Sequence, residues 1–172
     1  MVTSRNRASG HIRKSLDKYL TLAASVAPED GRRPVWVPPM IGIDEDMRGW
    51  SFFGLLEHNV IVNRSITEIV KSLVRGQKPA GEGAIDMKND VMPSTDPGGE
   101  QIEAFRTSVE EYLESVSGLR GLRQTSTKRH PVFGELNAHG WHCMFGLHLD
   151  IHRKQAEAAI DIITQSSELA SR

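Results

Sequence analysis

The sequence predicts an all-α protein, a four-helix bundle with long connections after its first and second helices. Two observations predict it. Four segments carry apolar residues at spacings of three and four, the pattern of one helix face. No β pattern competes, because the few alternating stretches are short and contain proline. Four amphipathic segments in order, without an internal repeat, bury their stripes against one another. A single domain is expected over 1–172, of a size that encloses one core without disulfides, with 1–9 flexible.

The first helix is predicted from Gly10 to Val26, on Ile12, Leu16, Tyr19, Leu20, Ala23 and Val26. Pro28, Gly31 and Pro34 end it, and 28–49, with Pro38-Pro39 and Gly42, reads as too broken for a regular element. The second helix runs from Trp50 to Val74, with a stripe from Phe52 to Leu73, Ser51 as N-cap and Gly76 just past the end. Residues 76–99 are rich in Gly, Pro, Asp and Asn and form a second long connection, of a length that often covers a site. The third helix spans Glu100 to Val116, with Gly118 as its C-cap. His130-Pro131 opens a turn containing Gly134, and Asn137 caps a last helix from Ala138 to Leu169. The long links leave room for a crossover connection, so a plain succession of tight hairpins is not expected.

With 21 Lys plus Arg against 22 Asp plus Glu, the net charge of -1 gives no footprint for nucleic acid or an anionic membrane. The mildly basic stretch from Arg5 to Lys14 reads as a solvated, frayed terminus. Cys143 is the only cysteine, which excludes an intramolecular disulfide and a cysteine-based zinc site and fits a reducing cytoplasm. No apolar segment follows the basic N-terminal residues directly, against a signal peptide. Glu57-His58-Asn59 and Pro38-Pro39 interrupt the longest apolar stretches, so none reaches the roughly 20 residues of a membrane span.

The candidate chemistry lies in the histidines. His148 and His152 stand at i and i+4, roughly 40° apart around a helix and one turn along it, so both imidazoles reach one ion. His152 falls within the apolar side formed by Phe145, Leu149, Ala156, Ala159, Ile160 and Ile163, and His148 borders it. A shared metal offsets the lost solvation of both rings. His58, in the hydrophobic start of the second helix, is the candidate third ligand. Its alternative is a core-edge histidine bonded to a backbone carbonyl, Asn59 or Asn63; those asparagines equally suit the role of fixing an imidazole tautomer. Three imidazoles from two helices suit a divalent transition metal with a position left for water or substrate. His142, about 120° around the helix from His148, reads as a non-ligand. His130 and His139 read as surface or turn residues, His130 near the mouth of the site, and His11 has no evident partner. Cys143 reads as a small core residue or a reactive thiol, and Trp50 and Trp141 as anchors of helix ends.

Three stretches carry a resemblance to a known family: Trp50-Ser51-Phe52-Phe53-Gly54-Leu55-Leu56-Glu57-His58-Asn59, the turn His130-Pro131-Val132-Phe133-Gly134 with Trp141 behind it, and His148-Leu149-Asp150-Ile151-His152 with Gln155 trailing. In order and helix placement they resemble the DinB/YfiT-like superfamily of metal-binding four-helix bundles, in its branch with an HPxFG turn and a C-terminal HxxxH. The resemblance implies a long crossover connection, frequent homodimers, and a nickel- or zinc-type ion held by His58, His148 and His152. It also implies a small-molecule substrate, since characterised relatives include transferases that activate a low-molecular-weight thiol. The leading expectation is a metal-dependent thiol transferase, with a metal-dependent hydrolase and a non-enzymatic metal- or ligand-binding dimeric bundle as alternatives. No catalytic residue is assigned; Glu57, Asp150 and Glu135 are the candidate bases, each also readable as a solvated carboxylate. The segments 28–49 and 76–99 depart from the simplest members, so the substrate does not carry over.

Overall fold

The structure, a computed structural model, describes residues 3–77 and 91–170; the middle of the second long connection lies outside the described residues. Four long helices are present: α1 (Arg5–Ala24), α3 (Phe52–Val74), α4 (Glu100–Gly118) and α5 (Ala138–Ala170), with a short α2 (Pro28–Arg32) after α1. Helix α3 packs against α4 and α5, and α1 packs against the same two, so α1 and α3 face each other across the bundle diagonal. The connection after the first long helix therefore crosses the bundle, as its length allows. The second crossing follows α4, whereas the long link after α3 joins neighbours.

The stripes meet in one core. Tyr19, Phe52, Phe105, Tyr112, Trp141 and Phe145 are fully buried there. The Tyr112 and Phe145 rings stack with centroids 3.8 Å apart, an arrangement that adds to the burial of their apolar area. Ser51 caps α3 as expected, its Oγ accepting from Gly54 N at 3.1 Å, and Gly76 takes the left-handed φ of +68° that ends that helix. Asn137 Oδ1 accepts from Gly140 N at 2.9 Å and starts α5. Among the described residues, no helix is long and apolar enough to cross a membrane.

Four expectations need correction. Helix α1 begins at Arg5, inside the stretch expected to be flexible. Ser4 Oγ caps Arg7 N, Ala8 is buried, and Arg5 donates to Leu119 O at 2.6 Å, so the polar start of the helix is tied to the chain ahead of α5. The segment 28–49 is not without regular structure: Pro28 sits at the first turn of α2, where its missing N–H is harmless, and Glu45–Met47 forms a 3-10 turn. Val37, Ile43 and Met47 anchor this segment by burial. Gly31 permits its approach to α3, since a Cβ there would lie 2.4 Å from Phe53 Cζ.

The third correction is a β-hairpin, β1 (Thr127–His130) paired antiparallel with β2 (Gly134–Asn137). Its proline, Pro131, sits in the turn and not in a strand, and Gly134 supplies the left-handed residue at φ +70°. The fourth concerns His130 and His139, read as surface or turn residues: His130, the last residue of β1, and His139, in the first turn of α5, are both buried.

Candidate metal centre

Helix α3 contributes His58 and α5 contributes His148 and His152, and the structure brings all three together. The Nε2 atom of His58 lies 3.1 Å from Nε2 of His148 and 3.1 Å from Nε2 of His152. Nitrogens at that separation have the spacing of imidazoles bound at about 2.0–2.1 Å to one ion. His58 and His152 are buried and His148 is half-buried, so the cluster opens at one side.

The outer ring nitrogens decide what the inner ones present. His58 Nδ1 lies 2.7 Å from the carbonyl oxygen of Val91, which can only accept, so the proton is on Nδ1. His152 Nδ1 lies 2.9 Å from Gln155 Oε1. The Gln155 amide is oriented by its own Nε2, which donates to Met47 O at 2.6 Å, leaving its oxygen toward the imidazole. His152 therefore also carries its proton on Nδ1. The Nε2 atoms of His58 and His152 then face each other as two lone pairs. An N–H from His148 could satisfy one of them and not both. A cation shared by all three satisfies the arrangement, so the donor set fits a divalent transition metal.

Electrostatics point the same way. Burial disfavours the imidazolium form at each ring: it lowers the pKa of His58, and, reinforced by the neighbouring imidazoles, it holds His148 well below the usual histidine range. Burial and His58 bring His152 down to about 3. Neutral imidazoles are the form that ligates.

Trp50 packs against two of the rings, with centroids 4.9 Å from His58 and 6.4 Å from His152. It thus flanks the cluster besides marking the start of α3. A cavity of about 130 Å³ opens against the three imidazoles, with Val62, Ile66, Val91, Met144 and Ile151 among its apolar walls.

The remaining candidates lie apart from the cluster. Asn59 donates to Tyr19 Oη and Leu55 O, and Asn63 to Ser108 Oγ, so neither fixes a tautomer. That task falls to Val91 and Gln155, which the sequence reading did not assign. The Val91 carbonyl belongs to backbone and has no sequence signature, whereas Gln155, one turn beyond His152, offered a readable one. His142 is no part of the cluster, in keeping with its place on the helix wheel. His11 has a partner after all, Asp150 Oδ2 at 3.8 Å. Burial pushes the Cys143 thiol up, away from thiolate reactivity. Glu57 accepts from Ser94 N and Oγ at 2.8 Å, Asp150 pairs with Arg153, and Glu135 is exposed on β2.

Fold and site together define a four-helix bundle with a possible three-histidine metal site. No family model matches the sequence, and no curated protein does. Among solved structures, the chain is similar to TT2238, described as a four-helix bundle protein, with a TM-score of 0.64 and 20% identity over 90% of this chain and 98% of that one. At that identity the likeness concerns the fold alone.

Proposed function

We propose that this chain is a DinB/YfiT-like metal-dependent transferase that joins a low-molecular-weight thiol to a small electrophile. The observation that carries the reading is the pair of Nε2 lone pairs on His58 and His152, fixed by Val91 and Gln155 and joined by His148. His58, His148 and His152 would hold the ion, nickel or zinc, which is consistent with all-nitrogen ligation. When bound, the metal supplies Lewis acidity that lowers the pKa of a thiol at an open position.

The chain's own residues prepare that position. Val91 and Gln155 keep the ring protons of His58 and His152 on the outer nitrogens, so neither of these two rings points an N–H at the place of reaction. The apolar walls exclude water and favour an apolar electrophile. The candidate general bases are occupied or exposed: Glu57 is held by Ser94, Asp150 by Arg153, and Glu135 faces solvent. A thiol acidified directly needs no separate base, so thiol transfer is compatible with the absence of a free carboxylate among these candidates.

Metal analysis of the purified protein, followed by a thiol-consumption screen with common electrophiles, tests the reading. One equivalent of nickel or zinc and metal-dependent loss of thiol are expected. A protein that takes up no divalent metal at neutral pH from excess salt would refute it.

A further inference from the structure

The same cavity contains a fourth imidazole that the proposed chemistry does not use. His130 ends β1 and lines the cavity together with His58, His148 and His152. Its Nδ1 accepts from the backbone N–H of Val132 at 3.1 Å and of Phe133 at 3.2 Å. A nitrogen that accepts from backbone donors carries no proton, so the ring proton sits on Nε2. The ring is held between Phe133 and Trp141, at centroid distances of 4.9 and 5.3 Å, which fixes the direction of that N–H. His130 is only 8% exposed, and among the described residues its Nε2 has no hydrogen-bond partner.

The turn thus presents an N–H donor in a wall whose apolar part includes Val62, Ile66, Met144 and Ile151 and whose other polar groups, besides the three clustered imidazoles, include Ser65 and Asp44. No lysine or arginine lines the cavity among the described residues, and its one carboxylate, Asp44, would repel an anion. Among the described residues, His130 Nε2 is not one of the buried polar atoms that lack a partner, so the N–H faces accessible space. A ligand that displaces water from it without supplying an acceptor leaves the donor unpaired at a cost, so the site discriminates between ligands that do and do not supply one. The space, about 130 Å³, is on the scale of a single small ring.

We propose that the cavity takes a small neutral apolar molecule bearing one hydrogen-bond acceptor, such as a carbonyl oxygen, and that His130 Nε2–H is the specificity-determining donor to that oxygen. This deepens the transferase reading by naming the class of its electrophile, and it rests on that reading only in placing the substrate beside the three histidines.

The test uses the full chain, zinc-loaded and metal-free, titrated with acetophenone, with its hydrocarbon isostere α-methylstyrene, and with benzoate. Acetophenone is expected to bind about fivefold more tightly than α-methylstyrene, the worth of one hydrogen bond, and benzoate not measurably. In nitrogen-15 spectra of histidine-labelled protein, His130 should show the Nε2–H tautomer, with Nε2 shifting when acetophenone binds. In His130→Asn the side-chain oxygen keeps the bonds to Val132 and Phe133 N–H but offers no donor at the Nε2 position; the fivefold preference should vanish while α-methylstyrene still binds.

Equal binding of the two isosteres, an Nδ1–H tautomer, or a preference that survives in His130→Asn would each overturn the proposal. So would loss of zinc in that variant, which would make His130 a metal ligand. The wild-type comparison and the tautomer need no variant to fold. An acceptor preference in a protein that binds no metal would defeat the transferase reading alone. Zinc held by the three histidines with no acceptor preference would defeat this one alone.

Discussion

Helix α5 carries two groups of histidines, each largely withdrawn from solvent, and their chemistry differs more than their burial. Near its start, His142 is fully buried; its Nε2 faces Ser9 Oγ at 3.1 Å and the Arg5 carbonyl at 3.4 Å, and its Nδ1 faces Tyr112 Oη at 2.9 Å. Since the Arg5 carbonyl only accepts, Nε2 donates and Nδ1 receives the tyrosine proton. Neighbouring His139 meets the Thr3 carbonyl at 2.8 Å. Every ring nitrogen of His142 is matched by a group of the opposite role. Further along the helix, His148 and His152 meet His58, and there the outer contacts turn two lone pairs toward each other. Burial lowers the pKa in both groups, of His142 to about 4 and of His152 to about 3. A depressed histidine pKa therefore does not mark the candidate site; unmatched lone pairs do.

The largest expected effect breaks the comparison at its centre. His152→Ala removes one of the converging nitrogens and should lower metal affinity by more than the roughly 10–100-fold that loss of an outer partner costs. Full metal stoichiometry in that variant, read by competition with a chromogenic chelator, would refute the ligand assignment. Gln155→Ala leaves all three imidazoles but frees the His152 tautomer, and an affinity loss of about 10–100-fold is expected. If Gln155→Ala binds metal like the wild type, the tautomer argument fails while the ligand set stands.

The matched group should respond in stability. His142→Leu leaves Tyr112 Oη and Ser9 without their imidazole partner, so a loss of about 1–3 kcal/mol by urea unfolding is expected at pH 7, with metal stoichiometry unchanged. The pH dependence follows from the same residue. Its folded pKa of about 4 lies below the unfolded value of 6.5, so the unfolded chain binds more protons between them. Its contribution is intact above about pH 6.5 and falls as pH drops toward 4, by about 1.4 kcal/mol per pH unit. His152 acts in the same direction in metal-free protein. In His142→Leu, the slope of stability against pH between 6.5 and 4.5 should be shallower by about that amount.

How far the sequence carried these conclusions depends on where each signal resides. The four long helices are legible because each carries a stripe of apolar side chains, and His58, His148 and His152 because they interrupt two of those stripes at metal-ligating spacing. The hairpin was hidden because Thr127–His130 and Gly134–Asn137 contain a single apolar residue, Leu136, so no alternation could show. The early start of α1 depends on Arg5 reaching Leu119 O, a contact between distant segments with no local pattern. The burial of His142 was readable in part, since it stands three residues before Phe145 and seven before Leu149 on the apolar face. The Val91 carbonyl was not readable at all, because every residue offers one and only the fold selects it.

The smallest expected effect sharpens the comparison by separating helix stability from the geometry of the cluster. Asn137 Oδ1 caps the first turn of α5 through Gly140 N, ahead of His139 and His142 and well before His148 in the chain. Asn137→Ala should lower stability by about 1 kcal/mol, the usual value of an N-cap. Metal affinity should not change, because the contacts of His58 to Val91, of His152 to Gln155 and of Gln155 to Met47 do not involve the first turn of α5. Chelator competition and urea unfolding on the same variant distinguish the outcomes. Parallel losses in both would mean that the cluster is positioned by α5 as a whole, whereas loss of stability alone would assign its geometry to the local hydrogen bonds at Val91 and Gln155.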